Sequence, residues 1–162
     1  MPHPELAAAL RVATEAALEA GAMLRAEFHR PGGPRGAGAH ADADAEAEAL
    51  IRRHLDAAFP TWPIVGEELA NRGGGDRTYL WLVDPNDGTQ AFLRGHRGST
   101  VSIALLRDGV PVLGVVYAYV APHDGGEVFA WADGCGPLTR NGQPVHRAPL
   151  RQTLTEDTTI LV

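Results

Sequence analysis

The chain has 162 residues, of which 44% are hydrophobic, and a formal net charge of −6. This length and apolar content predict one domain over residues 1–162. The acidic balance and the scattered basic residues exclude a nucleic-acid polymer as a partner. The single cysteine, Cys135, excludes an intrachain disulfide. Without a signal-peptide pattern or a window of membrane-spanning length, we expect a cytoplasmic protein that does not contact a membrane.

Small and apolar residues in the first part of the chain recur at steps of three and four. They are Leu6, Leu10, Ala13, Ala17, Gly21, Leu24 and Phe28. This spacing places them on one face and predicts a helix over about residues 4–29. Prolines and glycines at 31–34 end the helix, and we expect a flexible loop through Gly38.

The segment from Asp42 to Phe59 begins with alternating acidic residues and alanines, but Ala and Glu favour helix over strand. Apolar residues and one histidine at helical spacing support a second helix that begins near Asp44: Ala47, Leu50, Ile51, His54, Leu55 and Ala58. Carboxylates in its first turn suit the helix dipole. We expect the acidic residues Asp42, Asp44, Glu46 and Glu48 to form a solvated helix face.

Beyond Pro60, short apolar runs alternate with Gly, Asp and Asn. They predict strands at Ile64–Val65, Tyr79–Val83, Thr100–Leu106, Val112–Tyr119 and Glu127–Trp131. Asp108-Gly109 lies between two of these runs and indicates a tight hairpin turn. We expect the first two strands to pair as a hairpin as well. The predicted fold class is therefore α+β, with two N-terminal helices packed on one face of an antiparallel sheet.

A corner with two carboxylates follows the strand at Tyr79–Val83. Asp84 ends this strand, and Asp87-Gly88-Thr89 indicates the start of a helical turn. Backbone N–H groups at such a corner attract an anion, whereas the two carboxylates repel it. Divalent cations resolve this conflict, since Mg²⁺ binds carboxylate and phosphate oxygens together. The fragment alone is equally compatible with an ordinary turn.

A second acidic pair, Glu67-Glu68, follows Gly66 at the end of the short strand. Pairing of this strand with Tyr79–Val83 would bring the pair beside Asp84. Neighbouring residues on a strand point to opposite faces, so only one of the two glutamates needs to face a metal. We favour Glu67 and leave Glu68 open between an exposed surface charge and a supporting role behind the ligands.

Gly66-Glu67-Glu68, Asp84-Pro85-Asn86-Asp87-Gly88-Thr89 and Asp44 together resemble the inositol monophosphatase-like family of Mg²⁺-dependent, lithium-sensitive phosphatases. The resemblance runs over roughly residues 5–147. It implies the N-terminal subdomain of the inositol monophosphatase and sugar phosphatase fold. The family has a further aspartate ligand in a C-terminal Trp-Asp-x-Ala motif, and nothing after Val145 resembles it. We therefore expect the C-terminal subdomain to be absent.

The resemblance also implies a set of metal ligands. Glu67 and Asp84 would bind one Mg²⁺ together with the backbone carbonyl of Asn86. Asp84 and Asp87 would share a second Mg²⁺, bound weakly in the absence of the C-terminal aspartate. Glu68 would support these ligands or bind through water.

The remaining implied roles are catalytic. Asp44 and Thr89 would form the dyad that takes a proton from the metal-bound water. The N–H groups of Gly88 and Thr89 would receive the phosphate. No phosphoenzyme is needed.

The substrate is expected to be a small phosphomonoester such as inositol 1-phosphate. A 3′-phosphoadenosine 5′-phosphate phosphatase is the alternative enzyme, because the stretch from Phe92 to Ala104 resembles that branch as well. A third interpretation is a catalytically silent metal-binding or interaction domain. Because apolar surface would be left uncovered, we expect a homo-oligomer or a partner in the form of the missing C-terminal subdomain.

Overall fold

The structure is a computed structural model that describes residues 4–75 and 78–145. Three helices lie at Pro4–Phe28 (α1), Asp42–Ala58 (α2) and Thr89–Leu93 (α3). The strands are Gly36–Ala37 (β1), His40–Ala41 (β2), Ile64–Gly66 (β3), Tyr79–Asp87 (β4), Thr100–Arg107 (β5), Val110–Ala118 (β6), Glu127–Ala132 (β7), Thr139–Arg140 (β8) and Gln143–Pro144 (β9). Within the described ranges, no helix combines the length and the apolar character needed to cross a membrane.

The two long helices pack against each other and against the sheet. Helix α1 buries a face rich in alanine, which lets its backbone approach its neighbours closely: Ala9, Ala13, Ala16, Ala17 and Ala20 are fully buried. Both helices are confirmed close to their predicted bounds. Helix α2 begins at Asp42, two residues earlier than expected.

The main sheet has seven strands in the order β3-β4-β5-β6-β7-β8-β9. It is mixed, because β3 runs parallel to β4, with Ile64 opposite Trp81 and Gly66 opposite Val83. The predicted hairpin between these strands, and with it a wholly antiparallel sheet, is wrong. After Gly66 the chain turns back, so that Arg72 forms an antiparallel bridge with Ile64. A two-residue apolar run contains no signal for strand direction, so the sequence could not reveal this crossover.

Several strands differ in extent from those predicted. β4 continues past Val83 to Asp87, and its register against β5 shifts between Asp84 and Asp87. Pro85 lies inside this shift. The regular hydrogen-bond ladder is interrupted there, so the N–H that proline lacks is not needed for pairing. The loop expected to be flexible through Gly38 contains β1, which pairs with β2 just beyond it. The strands β8 and β9 were not predicted.

The turn at Asp108-Gly109 is confirmed as the hairpin between β5 and β6. Both residues have positive φ, 51° and 79°, the combination that type I′ turns require. Asn141-Gly142 repeats this geometry between β8 and β9, with φ of 51° and 75°.

The two faces of the sheet differ in what covers them. Alternate residues under α1 and α2, such as Trp81, Ile103 and Val115, are almost fully buried. We call the opposite face the open face; register places Leu82, Ala104, Gly114, Val116 and Trp131 on it. Leu82, Val116 and Trp131 are 36%, 39% and 36% exposed. A shallow apolar groove of about 430 Å³ runs along this face.

Candidate active site

The parallel pairing of β3 and β4 brings their carboxyl ends to the same edge of the sheet. Glu67 follows β3, and its N–H donates to the Val83 carbonyl at 3.2 Å. The neighbouring residue on β4 is Asp84. The predicted proximity of Glu67 and Asp84 is therefore present, although parallel pairing produces it instead of a hairpin.

The candidate ligands line one cleft of about 330 Å³. Its walls are formed by Ala39, Glu67, Asp84, Asn86, Asp87, Gly88, Thr89 and Gln90. None of these residues is basic. The cleft therefore concentrates negative charge without a protein cation in its lining.

The electrostatics of Asp84 reflect this crowding. Burial, and then the negative charge of Glu67, raise the pKa of Asp84 to about 7. The Asn86 N–H donates to Asp84 Oδ1 at 3.0 Å and opposes the rise only in part. The fold thus holds two carboxyl groups against their mutual repulsion, an arrangement that a divalent cation would relieve.

Asp44 lies beneath the cleft and is 1% exposed. Its Oδ2 accepts the Ala41 N–H at 3.0 Å and faces Thr89 Oγ1 at 3.2 Å. Its Oδ1 accepts Asn86 Nδ2 at 2.9 Å. The expectation of a solvated acidic face on α2 is wrong for Asp44, and also for Glu48, which is fully buried.

Thr89 and Gly88 form the corner between β4 and α3. Gly88 precedes α3 with φ of 91°, a conformation that favours glycine. The Thr89 hydroxyl lies 2.9 Å from the Asn86 carbonyl oxygen as well as 3.2 Å from Asp44. With one proton to donate, it can satisfy only one of these acceptors at a time.

The side chain of Asn86 is a feature that sequence reasoning missed, because only its backbone carbonyl had been considered. It is 1% exposed and bridges Asp44 to Tyr119, whose hydroxyl donates to Asn86 Oδ1. Burial raises the pKa of Tyr119, so this hydroxyl remains a donor at neutral pH. A tyrosine at the end of the predicted strand Val112–Tyr119 was the available signal, since a buried hydroxyl needs a partner.

Glu68 is not an exposed surface charge, since its side chain is only 15% exposed. Burial first, and then the charge of Asp44, raise its pKa. His40 Nδ1 lies 3.8 Å from Glu68 Oε2 and opposes part of this rise in the pKa of Glu68. Glu68 therefore belongs to the same acidic region as Asp44 and Asp84.

The donor set fits Mg²⁺ in chemistry and number. Across residues 4–75 and 78–145, no three carboxylate, imidazole or thiol groups converge to surround a single ion. Glu67 and Asp84 are the pair that comes together, and Asp87 lines the same cleft. Mg²⁺ is commonly held by one or two carboxylates, with water and phosphate oxygens completing its octahedron. A carboxylate pair beside an open cleft meets that requirement.

Comparison with known proteins gives relatives along most of the chain. Inositol monophosphatase 1 of Solanum lycopersicum is 36% identical over 142 residues, which cover 84% of this chain and 50% of that protein. The 3′(2′),5′-bisphosphate nucleotidase CysQ of Salmonella typhimurium is 50% identical over 58 residues, 35% of this chain and 24% of that protein. The chain thus spans about half the length of the plant relative.

Solved structures also match most of the chain. An inositol monophosphatase from Anabaena superposes with a TM-score of 0.73 at 34% identity, covering 90% of this chain and 51% of that chain. The extragenic suppressor protein suhB from Bartonella henselae gives a TM-score of 0.76 at 30% identity, covering 89% and 55%. The profile of the inositol monophosphatase family matches residues 5–161. The chain therefore belongs to the inositol monophosphatase family.

Proposed function

We propose that this chain provides the acidic cleft of a Mg²⁺-dependent phosphomonoesterase acting on a small phosphorylated metabolite such as inositol 1-phosphate. The observation that supports this most directly is the position of the Glu67–Asp84 pair beside the buried Asp44–Thr89 contact. A metal-binding pair and a proton acceptor within one cleft are what hydrolysis of a phosphate ester requires. The family and its phosphatase relatives support the same reaction class.

Glu67, Asp84 and the Asn86 carbonyl would hold one Mg²⁺, while Asp84 and Asp87 would hold a second. When bound, Mg²⁺ supplies Lewis acidity and lowers the pKa of water. We further propose that lithium inhibits the reaction. Glu68, held close behind these ligands, would add negative charge that favours cation binding.

Asp44 and Thr89 would handle the proton of the attacking water. Ala41 and Asn86 fix the Asp44 carboxylate from two sides, so its Oδ2 stays directed at the Thr89 hydroxyl. Thr89 can therefore accept a proton from water and pass its own to Asp44. The N–H groups of Gly88 and Thr89 would receive a phosphate oxygen, since the first N–H groups of a helix lack partners within it.

A 3′-phosphoadenosine 5′-phosphate phosphatase is the second candidate. The specific observation in its favour is the short stretch that is 50% identical to the Salmonella nucleotidase, a higher local identity than the 36% shared with the plant enzyme. The longer coverage of the plant enzyme supports our ranking of inositol 1-phosphate first. Phosphate release from the two substrates at equal concentrations separates these candidates.

The test combines metal binding with hydrolysis by residues 1–162. We expect Mg²⁺ to raise the melting temperature and to support phosphate release, and Asp84→Asn to lower both the shift and the rate, the rate by about 100-fold or more. Asp108→Asn is the matched control, because Asp108 lies in the exposed β5–β6 turn, where asparagine tolerates its φ of 51°.

Three outcomes are distinguishable. Binding and hydrolysis that depend on Asp84 support the phosphatase. Binding that depends on Asp84 without hydrolysis supports the silent metal-binding domain. If Asp84→Asn and Asp108→Asn behave as the unchanged chain does in Mg²⁺ titration and in phosphate release, the proposed function is wrong.

A further inference from the structure

Glu48 is a buried carboxylate that the proposed reaction does not use. It is 0% exposed and lies one helical turn after Asp44 on α2. Its Oε1 accepts a hydrogen bond from Arg52 Nε at 2.8 Å and forms an ion pair with Nη2, which lies 2.7 Å away. Burying a carboxylate is costly unless its oxygens accept hydrogen bonds. The other hydrogen-bond partners of Glu48 therefore indicate its role.

Those partners are backbone groups of the acidic segment that begins at the last residue of β3, which we call the 66–70 segment. Glu48 Oε2 accepts the Glu68 N–H at 2.7 Å. The Leu69 N–H lies 3.4 Å from both carboxylate oxygens. The carboxylate therefore fixes the backbone immediately after Glu67.

Arg52 holds the same segment through its carbonyl groups. Its Nη2 donates to the Leu69 carbonyl at 3.1 Å, and its Nη1 donates to the Ala70 carbonyl at 2.9 Å. The Arg52 side chain is only 12% exposed. Glu48 and Arg52 thus bind the donors and the acceptors of one stretch of backbone, which fixes its orientation as well as its distance from α2.

Gly66 shows how closely the segment approaches Glu48. A Cβ at residue 66 would lie 1.9 Å from Glu48 Oε1 and 2.4 Å from its Cδ. Only glycine leaves room for the carboxylate at this position. The residues on both sides of Glu67 therefore contact Glu48. Gly66 lies against its carboxylate, and the Glu68 N–H donates to it.

Stability alone is a weak explanation for this ion pair. Replacing a buried ion pair by apolar residues is often neutral or stabilising. The same helix also carries Asp44, so a rigid α2 fixes both the proton acceptor and the 66–70 segment. We infer that Glu48 and Arg52 are positioning residues that hold Glu67 against Asp84, and that their contact with the 66–70 backbone sets the affinity of the site for Mg²⁺. This inference rests on the proposed function.

The test measures the contact and its consequence separately in the intact chain. Amide hydrogen exchange of Glu68 reports the contact, and calorimetric titration with Mg²⁺ reports affinity. We expect Glu48→Gln to lose protection at the Glu68 amide and to weaken Mg²⁺ binding by about 10-fold or more, as loss of groups that orient metal ligands does elsewhere. Gly66→Ala should give the same two effects by displacing the Glu48 carboxylate.

Two matched variants control for general damage. Glu27→Gln removes another covered carboxylate, which lies on α1 instead of α2 and is paired with Arg35. Gly73→Ala adds a methyl group where nothing lies within 4 Å. Both should retain Glu68 protection and Mg²⁺ affinity. Far-ultraviolet circular dichroism and melting temperature establish that each variant is folded.

The outcomes separate the inference from the proposed function. Loss of both protection and affinity in Glu48→Gln and Gly66→Ala, with neither control affected, supports the inference. Loss of Mg²⁺ affinity to the same extent in Glu27→Gln, or unchanged affinity in Glu48→Gln, overturns it while leaving the proposed function intact. An unsubstituted chain that binds no Mg²⁺ overturns the proposed function and the inference together.

Discussion

Glu27 and Arg35 tie the end of α1 to the β1–β2 hairpin. Glu27 Oε1 accepts the Arg35 backbone N–H at 2.8 Å and Nε at 2.9 Å, and Oε2 accepts Nη2 at 2.9 Å. The Glu27 side chain is 9% exposed. These hydrogen bonds, the side-chain bond from Arg35 above all, lower the pKa of Glu27 from 4.5 to about 2.

This lowered pKa gives Glu27 a predictable effect on acid stability. Since the ionised form is favoured in the folded state, its contribution is fully present above about pH 4.5 and is lost as the pH falls towards 2. We expect Glu27→Gln to lower the melting temperature by a few degrees at pH 7. The difference from the unsubstituted chain should shrink as the pH falls through this window, as measured by thermal melts. A difference that stays constant across it would contradict the assigned pKa.

The sequence predicted which of the candidate residues lie near one another better than it predicted what surrounds them. Asp44, Thr89, Glu67 and Asp84 lie together as their motifs indicated. The prediction that the acidic residues of α2 form a solvated face was wrong for Glu48. Charge alone predicts exposure, but the position of a residue around the helix decides whether it is buried. Asp44 and Glu48 are spaced to share a face with the buried Ala47, Ile51 and Leu55. That spacing was the available signal.

At the scale of elements, α1 approaches β6 closely at Gly21. A Cβ at this position would lie 2.4 Å from two ring carbons of Tyr117 and 3.1 Å from Tyr119 Cβ. Arg25 Nη1, one turn further along α1, donates to the Tyr117 hydroxyl at 3.3 Å and restrains the ring. The absence of a side chain at Gly21 therefore allows the helix to rest on the strand.

We predict that Gly21→Ala destabilises the chain although alanine favours helix. The gain in helix propensity is about 1 kcal/mol, whereas overpacking costs about 1–3 kcal/mol. Chemical denaturation should show a lower free energy of unfolding. In a Tyr117→Val background the same substitution should become neutral or stabilising, because the ring that it meets is gone. An equal loss in both backgrounds would show that the ring is not the cause.

Elements with strong periodicity were predicted closely, and those that depend on distant contacts were not. The long helices and the strands β5 to β7 follow from apolar spacing and turn residues. The direction of β3 depends on its pairing with β4, and the β1–β2 hairpin depends on two-residue strands that lack any period. Tertiary contacts decide such short elements, so local sequence does not specify them.

At the scale of the whole molecule, the open face adjoins the acidic cleft. Glu67 and Asp84 line both the apolar groove of about 430 Å³ and the cleft of about 330 Å³. Leu82, Ala104, Gly114 and Trp131 lie side by side across four strands of this face. Whatever covers the open face therefore also changes the solvent exposure of the site.

A contiguous apolar face of this kind favours association, and we predict that a second copy of the chain covers it. Sedimentation velocity should show a concentration-dependent dimer across the micromolar range. Val116→Lys should shift the equilibrium to monomer, because each copy would have to bury a charged side chain in the apolar interface. Leu18→Lys is the matched control, since Leu18 is 44% exposed on α1 and lies outside the open face. A chain that remains monomeric at every concentration, or equal effects of the two substitutions, would contradict dimerisation through this face.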